Sequence, residues 1–166
     1  MKWSELEQET CSMARTLSVI GDRWTLLILR DCFLGVRRFD DFHERLGVTR
    51  GILADRLKQL SKAGVLKKVA YQEHPPRHEY KLTGKGLDLY PVILSIVHWG
   101  DVHMAGEDGR PVLHQHMACG HAFDPRMVCS ECGTTLSPHD VKVLQGPGKA
   151  ADRNLPVRPA GKMAQS

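Results

Sequence analysis

The chain has 166 residues, a formal net charge of +4 and five cysteines. That length suits one domain, or one domain with a small appendix, and buries a core without help from disulfides. No apolar run approaches the roughly 20 residues that span a bilayer, and the acidic opening MKWSELEQET lacks a signal peptide's apolar stretch. The expectation is therefore a cytoplasmic protein without a membrane segment, its cysteines present as reduced thiols or metal ligands.

Residues 1–34 are helical by pattern, with an apolar stripe of Leu17, Ile20, Trp24, Leu27, Ile28 and Phe33 interrupted at Gly21-Asp22. Asp22 is placed to cap the second helix of this pair. Phe39, Phe42 and Leu46 then recur on one face of a short helix, which Gly47 ends in a left-handed conformation. Thr49 is the expected N-cap of the next helix, whose apolar face is Leu53, Leu57 and Leu60, and Gly64 stops it. VLKKVAY and HEYKL follow as two strand-like runs around a turn containing Pro75 and Pro76. A helix presented by a turn, with a hairpin beside it, suits the major groove of duplex DNA and a flanking phosphate contact. Charge agrees. From Gly35 to Lys85 there are twelve Lys and Arg against six Asp and Glu, so the basic excess falls on the elements that would meet phosphate.

Thr83 is placed to cap a last helix running through Leu87, Tyr90, Val92, Leu94, Val97 and Trp99 to about Met104. Pro91 within it predicts a kink, or a start nearer Pro91. The helix is apolar around more than one stripe, too widely for a domain this small to cover on all sides. The same helix of a second subunit is the natural cover. Such a homodimer sets two recognition helices about 34 Å apart on DNA; the alternative is burial inside the monomer. Residues 105–145 cluster His and Cys among Gly and Pro, and from Gly146 onward the composition predicts a disordered tail. No internal repeat is evident.

Cys11, the stretch IGDRWTLLILRDCFLGVRRFDDF, then GILADRLKQLSKAGVL and the exit HEYKLTGKG together resemble the HxlR-type bacterial transcription regulators, a MarR-related winged-helix group. The likeness covers about residues 8–104. It implies a mainly α fold with a small β-wing, a homodimer joined through the N-terminal segment and the helix after the wing, and one recognition helix per operator half-site. It also includes thiol-based sensors, although this chain has Cys11-Ser-Met where members often have Cys-Pro. Members commonly end near residue 110, so the His/Cys segment is an extension.

Within the second helix of the motif, base reading needs side chains near the N-terminus, which nominates Thr49, Arg50, Ala54 and Lys58. Ala54 suits a thymine methyl, and Arg50 suits guanine or a phosphate. Arg38, ahead of the first helix, and His74 and Arg77, at the wing turn, suit backbone or minor-groove contacts. Arg56 lies toward the core and reads as an internal salt-bridge partner. Cys11 and Cys32, in apolar helical surroundings, read as inert buried thiols, with a redox sensor at Cys11 as the sharper alternative.

His116-x2-Cys119 and Cys129-x2-Cys132 form two ligand pairs in HQHMACGHAFDPRMVCSECG. This spacing predicts a zinc-ribbon-like appendix with one closed, structural zinc. His114 and His121 are rival fourth ligands. The sequence thus predicts a winged helix-turn-helix over residues 1–104, a zinc-binding extension over 105–145 and a tail over 146–166. Its function is a sequence-specific DNA-binding regulator, a homodimer that represses from an operator in response to a small-molecule or redox effector. A zinc-dependent interaction module or metalloenzyme on a winged-helix scaffold is the rival, although no nucleophile–base arrangement stands out.

Overall fold

Asp22 and Thr49 open their helices as the sequence predicts. In the computed structural model, which describes residues 3–144 and 146, the Asp22 carboxylate accepts from the amides of Trp24 and Thr25 at 3.0 and 3.2 Å. The Thr49 hydroxyl accepts from the Ile52 amide at 3.4 Å. The elements run α1 (Trp3–Leu6), α2 (Ser12–Ile20), α3 (Arg23–Phe33), α4 (Phe39–Leu46), α5 (Arg50–Lys62), β1 (Leu66–Gln72), β2 (Arg77–Leu82), α6 (Gly84–Leu87) and α7 (Tyr90–Met104). Gly47, at φ 61°, turns the chain out of α4 in the left-handed region, where a side chain would be strained. α7 begins at Tyr90, so Pro91 sits in its first turn, where its missing N–H costs no helical hydrogen bond.

The chain divides into two compact units, Met1–Val97 and His98–Ser166, with the boundary inside α7 rather than at its end. In the first unit Ile28, Leu29, Phe42, Leu53 and Leu57 are fully buried, with Leu60, Val65, Leu66 and Ile93 nearly so. Each such side chain contributes about 1.5–3 kcal/mol by leaving water. Asp31 is also fully buried. Its carboxylate accepts from Arg30 Nε at 2.9 Å and Arg45 Nε at 3.3 Å, which ties α4 to α3 through a satisfied charge. The strands pair antiparallel, Leu66 opposite Leu82 and Ala70 opposite His78, with a bulge before Gln72. Arg38 adds a single bridge to Glu79, and the Tyr80 amide donates to the Arg37 carbonyl, so the base of the wing is stitched to the entry of α4.

α7 has two apolar faces with different fates. Ile93 and Leu94 are buried, and Ile93 belongs to the core of its own unit, so part of this helix follows the alternative of burial inside the monomer. Val92, Ile96, Trp99 and Val102, on the other side of the helix, are exposed.

The second unit is built differently. Between residues 105 and 144 no residue is buried. Its order lies in two short hairpin turns, marked by the bridges Gln115 to Ala122 and Val128 to Thr135. The expected tail, from residue 147 onward, lies outside the described residues.

Candidate nucleic-acid interface and the Cys/His segment

α5 buries Leu53, Leu57 and Leu60 against the core, which leaves Arg50, Gly51, Ala54, Asp55, Lys58 and Lys62 exposed. Thr49, Arg50, Ala54 and Lys58 therefore share one open edge near the start of the helix, where groove-reading side chains are needed. His74 and Arg77 are exposed at the wing turn, and Arg38 is exposed at the wing base.

These cations are not equally free. Arg50 Nη2 lies 2.9 Å from Asp40 Oδ1, and the Arg50 guanidinium stacks 4.9 Å from the centre of the Phe39 ring. Both partners of that ion pair are well exposed, so it holds about 0–1 kcal/mol and yields readily to a phosphate or a guanine. Arg38 stacks 4.8 Å from the Tyr71 ring centre and reaches Glu79 at 3.9 Å, so part of its role is to hold the wing. Arg56 is an internal partner, with Nε 2.9 Å from Asp22 Oδ1 and only a quarter of its side chain exposed. Burial pushes the Asp22 carboxyl up, but the Thr25 amide, the Arg56 guanidinium and the Trp24 amide outweigh it and hold the group below its ordinary value.

The candidate set left out Lys67 and Lys68 on β1. Both are exposed, and among the described residues neither forms an ion pair. Strict alternation would not have shown the pair, because exposure along β1 repeats every third residue, with Leu66 buried, Val69 half-buried and both lysines between them exposed.

The thiols divide by surroundings. Cys32 is buried, and burial with the nearby Asp31 charge pushes its pKa up to about 12, which makes it inert. Cys11, expected among apolar helix neighbours, is instead exposed as the N-cap residue of α2.

In the second unit, His116 Nδ1 and Cys119 Sγ lie 3.4 Å apart in the first turn. Cys129 and Cys132 occupy the second, where Cys132 Sγ and Thr134 Oγ1 lie 3.4 Å apart, within hydrogen-bond distance. That hydroxyl, with the Thr134 amide and Cys129, holds the Cys132 thiol below its ordinary pKa, favouring the thiolate that metals bind. The candidate ligands thus come together as two pairs. Among the described residues, no three His, Cys, Asp or Glu side chains converge on a single point. Arg110 pairs with Asp124, fastening the start of the segment to the exit of the first turn.

Two helices joined by a tight turn, the second open along a cation-bearing edge and flanked by a hairpin, define a DNA-binding winged helix. The model of the HxlR-like helix-turn-helix family matches residues 19–108, and the chain belongs to that family. It is 42% identical over 137 residues to the HTH-type transcriptional regulator Rv3095 of Mycobacterium tuberculosis, covering 82% of this chain and 87% of that protein. Among solved structures it is similar to PA1607, a candidate transcription factor, at 35% identity and TM-score 0.77, over 86% of this chain and 99% of that one. Coverage of that extent reaches past α7 into the Cys/His segment. The oxidised form of the redox regulator HypR is 31% identical with TM-score 0.53, over 56% of this chain and 97% of its own. By fold and family this is a DNA-binding transcription regulator. Among the described residues no helix is long and apolar enough to cross a membrane.

Proposed function

We propose that the chain acts as a homodimer on operator DNA, as a sequence-specific repressor. The observation that carries this reading is the open edge of α5 beside a basic wing. Thr49, Arg50, Ala54 and Lys58 are positioned for base edges, while Lys67, Lys68, His74 and Arg77 are positioned for the flanking backbone. The exposed stripe Val92, Ile96 and Trp99 supports the dimer, since these large side chains lie at 39, 49 and 61% exposure along one helix face. A dimer seated on an operator keeps other proteins off the same duplex, so repression is the direct consequence of occupancy. Cys11 is the exposed thiol of the first unit, and the likeness to HypR favours a redox effector acting there.

Selection of binding sites from a random duplex pool tests the reading. It should return an inverted repeat with half-sites one helical turn apart. Arg50→Ala should then lose about 1–3 kcal/mol on that site and relax one base position per half-site. Equal loss on all sequences would make Arg50 a phosphate contact, and recovery of no preferred sequence would remove the operator reading.

A further inference from the structure

We propose that residues 112–138 form a zinc site made of two half-sites, His116 with Cys119 and Cys129 with Cys132, which close together on one ion. The two turns are copies of one backbone plan. In the first, the Phe123 amide donates to the His114 carbonyl, the His116 amide to the His121 carbonyl, and the Gly120 amide to the His116 carbonyl. In the second, the Leu136 amide donates to the Met127 carbonyl, the Cys129 amide to the Thr134 carbonyl, and the Gly133 amide to the Cys129 carbonyl. Every partner in the second set lies thirteen residues after its counterpart in the first. Gly120 and Gly133 also match, with φ of 72° and 71°. The chain therefore holds an internal structural repeat, which sequence identity hides because Cys-Gly is almost all that the turns share.

The repeat decides between the rival histidines. His116 stands where Cys129 stands in the second turn, and Cys119 where Cys132 stands. His114 and His121 instead match Met127 and Thr134. Thr134 is a residue that supports a thiol through its hydroxyl rather than a metal ligand itself. The ligand set is therefore three cysteines and His116. That combination suits a thiophilic, tetrahedral ion with no position left for water.

A second observation asks for an ion independently of the ligands. From residue 105 to 144 no side chain is buried, and Met117, Leu113 and Met127 are 88, 67 and 71% exposed. Apolar burial cannot order such a segment, whereas a closed metal site converts its binding free energy directly into folding. Among the described residues no three such side chains converge on one point, so closing the site requires the two turns to approach one another and the thiols to release their protons to solvent.

The test is cobalt(II) titration of the full-length, reduced, chelator-free protein, followed by competition with zinc. We expect one equivalent to bind with the visible bands of a tetrahedral site and a charge-transfer intensity that counts three thiolates. Zinc should then displace the cobalt. Loss of a ligand should cost at least what loss of a supporting hydrogen bond costs, about 10–100-fold in affinity. His116→Ala, Cys119→Ser, Cys129→Ser and Cys132→Ser should each do so, and each Ser variant should lower the charge-transfer intensity by one sulfur's share. His114→Ala and His121→Ala should bind as the parent does. No uptake at one equivalent, an octahedral spectrum, or a larger loss from His121→Ala than from His116→Ala would overturn the proposal. So would a Cys129–Cys132 disulfide that persists under reducing conditions. DNA binding by the same samples reports separately on the regulator reading.

Discussion

The winged helix and the Cys/His segment reach order by opposite routes. In the first, period-matched leucines and phenylalanines from α3, α4 and α5 meet in one core, with Asp22, Thr49 and Gly47 marking the helix ends. In the second, backbone turns recur with matched hydrogen bonds, but between residues 105 and 144 no residue is buried. Burial is cumulative and survives the loss of any one contact, at a cost of about 2–5 kcal/mol for a core Leu→Ala. A segment closed by the proposed ion would have no such redundancy.

The sharpest way to break that comparison is to remove the proposed metal. Chelation should raise amide hydrogen exchange across residues 112–138 to near-unfolded rates, a loss on the order of 10 kcal/mol of local folding. Protection of Leu53, Leu57 and Leu60 in α5 should stay as it was. Equal loosening of both regions would mean that they share one stability. A smaller but still large effect is expected at the dimer face. Ile96→Glu should place unpaired charges in the proposed interface, cost several kcal/mol of association and yield a folded monomer in sedimentation. An unchanged dimer would clear this stripe of the role. The smallest effect sharpens the account of the first unit. The Asp22 carboxyl is held below its ordinary 3.8, so its contribution is complete above that pH and is lost as the pH falls through the lower folded value. Denaturation midpoints should therefore fall with acidification below about pH 4. Asp22→Ala should flatten that slope and cost about 1 kcal/mol at neutral pH as a lost N-cap.

The difference between the regions also explains what the sequence made legible. Helix caps and apolar periods are local, so α3, α4, α5 and the wing could be read residue by residue. α7 could not, because apolar residues occur all around it. Only tertiary packing shows that Ile93 and Leu94 face the core while Val92, Ile96 and Trp99 remain open. Candidate cations were visible as types, but not their engagements: Arg50 with Asp40 and Arg38 with Tyr71 and Glu79 are contacts between elements. The buried Asp31 is not legible locally because its burial comes from packing between helices, and only one of its two partners, Arg30, is near in sequence while Arg45 lies on another helix. Cys11 was placed by its apolar neighbours in sequence, yet α2 turns it outward. The Cys/His spacing in the second unit was plain, whereas the repeat behind it is carried by backbone amides and leaves almost no trace in side-chain identity.

The most direct measurement is the affinity of the full-length protein for its selected duplex as salt concentration is raised. An α5 edge and wing from each of two subunits should displace on the order of 6–10 counterions, giving a steep linear fall of log affinity with log salt. A shallow slope, or equal binding to selected and scrambled duplexes at every salt concentration, would contradict a winged helix that reads DNA.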